Sequence, residues 1–408
     1  MQRRQFLKFS SLAVGQSCLP KLNSIIETEW DSVLHGIRSR LNDWITGPVM
    51  ISSLELIRAE GKIFVHVKAN GHDQTGITVC NERMDNLYSL FNGLIKPYYL
   101  GKDAKDITHY AQAIFIDERN YKYGGMPFWN AAGSAEIAIW DLLGKIASKP
   151  VYAFLGISMK TEIPVYLSSL TRDTTAQEEV EKLQEQLAAT GCKAIKIKVG
   201  GRMKNDEHYE ARTQALIPLI RKSLTQDIVI YADANGSYNY TDGIRIGKLL
   251  ENNGIDIFEE PCSYEDYSAN RSVNKNLKKI KLAGGEQDTS MRRWNDICTQ
   301  NVYDILQPDV YYNGGIIRSL EVAYLAKRYQ KFVAPHSPKA DPLFAPFSQL
   351  IRVIPNLYGF QEYPSGAKAQ PTWYHPHINI KDGKLDLLNG AGLGIEYDYG
   401  IFKNSLRM

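Results

Sequence analysis

Six ionisable side chains, Lys198, Asp233, Glu259, Glu286, Asp309 and His336, each follow a short apolar run and stand 35, 26, 27, 23 and 27 residues apart. Glu362 adds a further interval of 26. One strand plus one helix fills such an interval, so the spacing predicts a βα series with a functional group at each strand end. In a parallel barrel those ends meet around one axis. Residues scattered over 164 positions then share one pocket.

The runs themselves, Ala194-Ile195, Ile228–Tyr231, Ile255–Phe258, Ile280–Ala283, Asp304–Leu306 and Phe332–Ala334, have the length of buried parallel strands. Amphipathic stretches such as Thr241–Asn253 and Ile316–Arg328 lie between them with helical apolar spacing. The barrel is expected over 161–365. Prolines at 364, 371 and 376 deny its last strand a regular helix, so the tail, 366–408, should return to the N-terminal part of the chain. That part, 49–160, reads differently: strands at Ile51–Ile57, Lys62–Ala69 and Thr75–Cys80, then helical stretches from about Glu82, Asp106 and Asn130. Three strands followed by helices indicate an α+β domain.

At 408 residues, 44% hydrophobic and 23% charged, the chain has room for two such units. No segment approaches the roughly 20 apolar residues of a membrane span. The formal charge of +3 is carried by Arg3, Arg4 and Lys8 at the tip, so nucleic acid is not expected as a partner. The tip, RRQFLKFSSLAVGQSC, resembles a twin-arginine export signal over residues 1–17, which implies periplasmic delivery; a disordered basic start, in a cytoplasmic protein, is the other reading. Cleavage would fall near Ser17, with Cys18 open to lipidation. Cys80, Cys192, Cys262 and Cys298 lack metal-type spacing and read as buried thiols.

Asp233, Glu259 and Glu286 place three carboxylates on three successive strand ends, an oxygen donor set suited to Mg²⁺. Lys196 and Lys198 alternate with Ile195, Ile197 and Val199, so both ammonium groups point to one face. Inside a barrel that face meets a ligand or counter-charge, and neighbouring cations make a lysine a usable base. Asp309 and His336 fall on neighbouring strands, where a carboxylate on one ring nitrogen fixes the tautomer and frees the other for proton transfer. Glu362 reads either as a site residue or as a salt-bridge partner.

The ordered set KIK, DANG, FEEP, GGEQD, QPD followed by NGG, and APHSP resembles the mandelate racemase subgroup of the enolase superfamily, as does the ending GKLDLLNGAGLGIEYD. The resemblance implies a modified TIM barrel, (β/α)₇β, under an N-terminal α+β capping domain, commonly as a homo-oligomer. It implies one Mg²⁺ held by Asp233, Glu259 and Glu286 and binding the carboxylate of a small-molecule substrate. Lys198 and the His336–Asp309 dyad would flank the α-carbon, Lys196 and Glu362 would contact the carboxylate and developing enolate, and Asn235 would stand in the metal's surroundings. Proton abstraction α to a carboxylate leads to dehydration of a sugar acid if a β-hydroxyl leaves, or to racemisation, epimerisation or cycloisomerisation otherwise. An exported sugar-acid binding protein is the non-catalytic alternative. Relatives commonly carry a longer loop where this chain has the hairpin Arg58–Gly61, so the site should be more open, or covered by Tyr121–Trp129.

Overall fold

A computed structural model describes residues 19–158, 160–366, 369–403 and 405–408, with side chains from Glu29 onward. Arg3, Arg4, Ser17 and Cys18, on which the export reading rests, lie outside the described residues. No helix among those described is long and apolar enough to cross a membrane.

The N-terminal sheet is an antiparallel meander of β1 (Ile51–Ala59), β2 (Lys62–Ala69) and β3 (Gly76–Val79). Glu60 and Gly61 join the first two strands with φ of 49° and 68°, the paired left-handed geometry of the tightest hairpin turn. Helix Met126–Ile146 packs across this sheet so closely that a Cβ on Gly76 would collide with Ala138 and Leu142. It begins four residues before the Asn130 expected from sequence, with Pro127 in its first turn, where a missing N–H costs nothing.

That helix ties three regions together. Its buried Asp141 accepts the Ile77 N–H of β3 at 2.8 Å and the Leu393 N–H of the tail at 2.8 Å. Glu136, one helical turn and a half earlier, accepts Ile316 and Ile317 N–H at 2.9 and 3.0 Å, capping a barrel helix. A long helix, Leu19–Trp44, which the sequence reading did not place, lies across both units through Trp30 against Tyr324 and Trp44 against Phe154.

The barrel runs through β4 (Glu162–Ser168), β5 (Ala194–Lys198), β6 (Val229–Asp233), β7 (Ile257–Glu259), β8 (Lys281–Gly284), β9 (Ile305–Leu306), β10 (Phe332–Val333) and β11 (Gln361–Pro364), all parallel. Gln361–Pro364 pairs with β4, and Val333 bridges Leu357, which closes the ring. A helix follows each strand up to β10, and none follows β11; Ile380–Lys381 and Lys384–Asp386 instead form a hairpin against β4. The tail ends at Leu406–Arg407, paired with Ile57 and Arg58 of β1.

Strand alternation sorts the residues cleanly. Ile195, Ile197, Ile230, Ala232, Phe258 and Leu282 join the core between strands and helices, while Ala194, Tyr231, Ile257 and Ala283 form a separate apolar cluster inside the ring. Cys80, Cys192, Cys262 and Cys298 are all buried free thiols.

Candidate active site

Register decides the site. Lys198 pairs with Asp233 across β5–β6, and Asp233 with Glu259 across β6–β7, so the three end at one height inside the ring. Lys196, only 1% exposed, sits one layer below. Its Nζ reaches Glu259 Oε1 at 2.9 Å and Oε2 at 3.1 Å, Glu362 Oε1 at 2.7 Å and Asp233 Oδ2 at 3.8 Å. Lys198 Nζ donates to Asp233 and, at 3.4 Å, to Asn235 Oδ1.

One ammonium shared by three carboxylates cannot hold them all ionised with equal ease. Despite burial, Lys196 and His336 hold Glu362 down at about 2, while burial and the neighbouring Asp233 charge push Glu259 up to about 7. Lys196 itself is held well above the ordinary lysine value, because Glu259 and Glu362 outweigh its desolvation.

On the opposite wall, His336 Nδ1 lies 2.9 Å from Asp309 Oδ2, and Asp309 Oδ1 accepts Tyr311 and Tyr312 N–H at 2.8 and 3.1 Å. Those backbone donors fix the carboxylate that orients the ring. Nε2 lies 3.1 Å from Glu286 Oε2 and 3.9 Å from Glu362 Oε2. Burial opposes charge on this imidazole, yet Glu286, Asp309 and Glu362 raise it to about 9. Glu362 therefore bridges the lysine and histidine walls, anchored by Ser168 Oγ at 2.8 Å and Ser337 N–H at 3.2 Å.

The oxygen donors suit a hard divalent cation in kind: three carboxylates on consecutive strands, Glu259 raised by a like charge, and the adjoining Glu260 Oε1 buried without a partner. They do not converge as they stand. Lys198 takes Asp233, Lys196 takes Glu259 and His336 faces Glu286, and no group of three His, Cys, Asp or Glu among the described residues encloses a metal-sized position. Glu286 lies beyond the end of β8 and is partly exposed, so its side chain turns to the nearest cation.

Asn235 stands beside Asp233, whose Oδ1 accepts its N–H at 2.8 Å. Its φ is 44°, and Oδ1 accepts from Arg172 Nη2 at 2.8 Å and from Lys198, so it steadies the lysine. Arg172 was missed in the sequence because the end of β4 carries no acid to join the periodic series. Gln307, whose Nε2 donates to Glu259 Oε2 at 3.0 Å, was also missed; it lies two residues before Asp309 on one strand, the same alternation that revealed Lys196. Arg83, from the other unit, donates to the Tyr312 hydroxyl at 2.5 Å, and that ring lies 6.2 Å from His336. No periodic signal marks it.

His336 and Glu286 are partly exposed. A cavity of about 610 Å³ lies between Lys62, Asn81 and Glu82 on one side and Pro338, Lys339 and Trp373 on the other, and none of the candidate catalytic or metal residues lines it. The two-residue hairpin closes little of it; Lys62 at its end reaches Asp341 at 3.4 Å. Trp129 does not cover the site: its indole lies under Arg318, 3.5 Å from the ring centroid, and stacks on Phe115. Met126-Pro127 open the buried helix, while Tyr121 and Tyr123 stay exposed.

Residues 178–400 match the profile of the enolase C-terminal domain-like family. An arabinonate dehydratase of Saccharolobus solfataricus is 27% identical over 329 residues, covering 76% of this chain and 81% of that one. Among solved structures, a Roseobacter denitrificans protein provisionally named a racemase superposes with a TM-score of 0.82 at 28% identity, over 88% of this chain and 99% of the other. A mandelate racemase/muconate lactonizing protein from Paracoccus denitrificans, complexed with magnesium, shares the fold with a TM-score of 0.79 at 23% identity, over 88% and 99% of the two chains.

Proposed function

The chain belongs to the mandelate racemase/muconate lactonizing group of the enolase superfamily, whose members are lyases and isomerases, and we propose that it removes the proton α to the carboxylate of a sugar acid and expels a β-hydroxyl to give a 2-keto-3-deoxy acid. The observation that carries this is Glu362 reaching both walls, Lys196 at 2.7 Å and His336 at 3.9 Å, with Asp233 shared by Lys196 and Lys198, so that both amines and the imidazole border one space.

An α-proton of a carboxylate is barely acidic, because its loss leaves a doubly negative enediolate. Positive charge already aimed at those oxygens lowers that cost. Lys196 supplies an ammonium inside the ring. Mg²⁺ held by Asp233, Glu259 and Glu286 would supply the rest of the charge stabilisation as a Lewis acid. Lys198 Nζ accepts the α-proton. His336, held by Asp309 through Nδ1, donates from Nε2 to the departing hydroxyl, three strands around the ring from Lys198 by way of β4 and β11. Arabinonate dehydratase as a relative favours elimination over racemisation, which would use the same two groups to reprotonate carbon.

The test is incubation with Mg²⁺ and a panel of sugar acids in D₂O, following α-hydrogen exchange and carbonyl formation. Dehydration gives a 2-keto-3-deoxy acid; deuterated stereoisomers without a carbonyl would assign a racemase or epimerase instead. Activity unchanged after exhaustive chelation would remove the metal from the scheme. Export is proposed on Arg3-Arg4 alone: replacing both with Lys should keep the chain in the cytoplasm, and equal distribution of both versions between fractions would refute it.

A further inference from the structure

On the same face of the barrel, the loops after β4, β5 and β11 border a separate open depression of about 560 Å³. Arg172, Lys182, Arg202 and Lys204 line it against one acid, Asp173, with Tyr209 as an aromatic wall. Clustered cations ordinarily recruit carboxylates. Here Lys182 and Arg202 have no hydrogen-bond or ion-pair partner among the described residues, and Lys204 reaches only the ring of Tyr209, 5.4 Å from its centroid.

Arg172 is the buried member, 8% exposed. Its Nε donates to Gly200 O at 2.9 Å, and Nη2 to Asn235 Oδ1 at 2.8 Å and Asp233 O at 3.5 Å. Nη1 has no hydrogen-bond or ion-pair partner among the described residues, and Arg202 presses a like charge on the guanidinium. A guanidinium fixed on two sides by protein oxygens, with one nitrogen spare and further cations around it, has the geometry that grips an oxyanion.

We propose that this basin binds an oxyanion group, a carboxylate or a phosphate, with Arg172 as its floor and Lys182, Arg202 and Lys204 as its rim. Arg172 is also the shared wall with the active site, because the Asn235 oxygen it holds is the one that steadies Lys198. Resting on the function proposed above, the group is the distal acid of a dicarboxylic sugar acid whose reacting end lies at the lysines. A free inorganic anion is the other source of the same chemistry.

The experiment compares wild type with R202E/K204E, both exposed positions outside the catalytic machinery, at constant ionic strength. The first arm measures kcat/KM on a six-carbon aldaric acid and on the corresponding aldonic acid; the second measures inorganic phosphate binding by calorimetry. Substrate recognition predicts that the aldarate-to-aldonate ratio falls roughly three- to tenfold, with kcat on the aldonate unchanged. An unchanged ratio with phosphate binding lost in the variant assigns the basin to a free anion. An unchanged ratio, with phosphate bound equally by both proteins or by neither, overturns the basin. If neither acid loses its α-hydrogen in wild type, the proposed reaction fails, and the phosphate arm still decides the basin.

Discussion

Tyr166, Ala194, Tyr231, Ile257, Ile305 and Ala334 fill the lower half of the ring; above them stand Lys198, Asp233, Glu259, Gln307 and His336, with Lys196, level with Tyr231, reaching up to Glu259. Both layers are enclosed, yet their chemistry is opposite. The lower one gains free energy by taking apolar surface from water. The upper one gives up hydration of several charges and recovers it only in part, as Glu259 at about 7 shows. The comparison teaches that one architecture sets apart its stability and its reactivity by a single turn of strand pleat, and that the charged layer is tolerable because the apolar one carries the fold.

Breaking the upper layer at its reactive edge should separate the two properties most sharply. His336→Asn removes the proton donor without a large void, and kcat should fall about 10²- to 10⁴-fold with the thermal midpoint nearly unchanged. A large loss of stability with turnover retained would make the dyad structural. Lys196→Met should damage both properties, since it leaves Glu259 and Glu362 facing each other unpaired; denaturant titration should show a loss of about 3–5 kcal/mol. Adding Glu362→Gln should recover part of that stability but no activity. In the lower layer, Ile257→Ala should cost roughly 3 kcal/mol by cavity formation, with KM of the folded enzyme unaltered. A changed KM would show that the layers are mechanically coupled.

The smallest effect belongs to a group outside both layers. Burial pushes the Glu136 carboxyl up to about 7 against three N–H donors that pull it down. Between about 4.5 and 7 the folded chain holds a proton that the unfolded chain has released, so this group's contribution is full at low pH and is lost as pH rises through 7. Glu136→Gln should flatten the stability profile across that window, read as the difference between variant and wild-type denaturation curves. Parallel profiles would show that the carboxyl stays ionised throughout.

The site was legible where chemistry repeats with the fold. Asp233, Glu259, Asp309 and His336 announced themselves because a βα unit returns each strand end at a similar interval. Ser168 and Gln307 lie on the same inward rows but are uncharged, so they were passed over. Arg172 comes from a loop and Arg83 from the short 3-10 helix Glu82–Asn86, and their placement depends on how helices and sheet dock, which no local period encodes. The same holds for the Trp129 end of Tyr121–Trp129, the stretch read as a cover for the site, which Arg318 and Phe115 claim for the interface. The helix Leu19–Trp44 was invisible because its partners, such as Tyr324, are some three hundred positions away.

The strand Leu406–Arg407 covers the free edge of β1, and Met408 N–H adds a bond to Leu56 O at 3.0 Å. The sheet made earliest by the ribosome is thus finished only after the whole barrel has been translated. Until then its outer edge offers unpaired backbone to any passing strand. Removing residues 404–408 should therefore leave a barrel that assembles but a nascent cap that associates with its neighbours, so that the defect appears during synthesis as lost soluble yield.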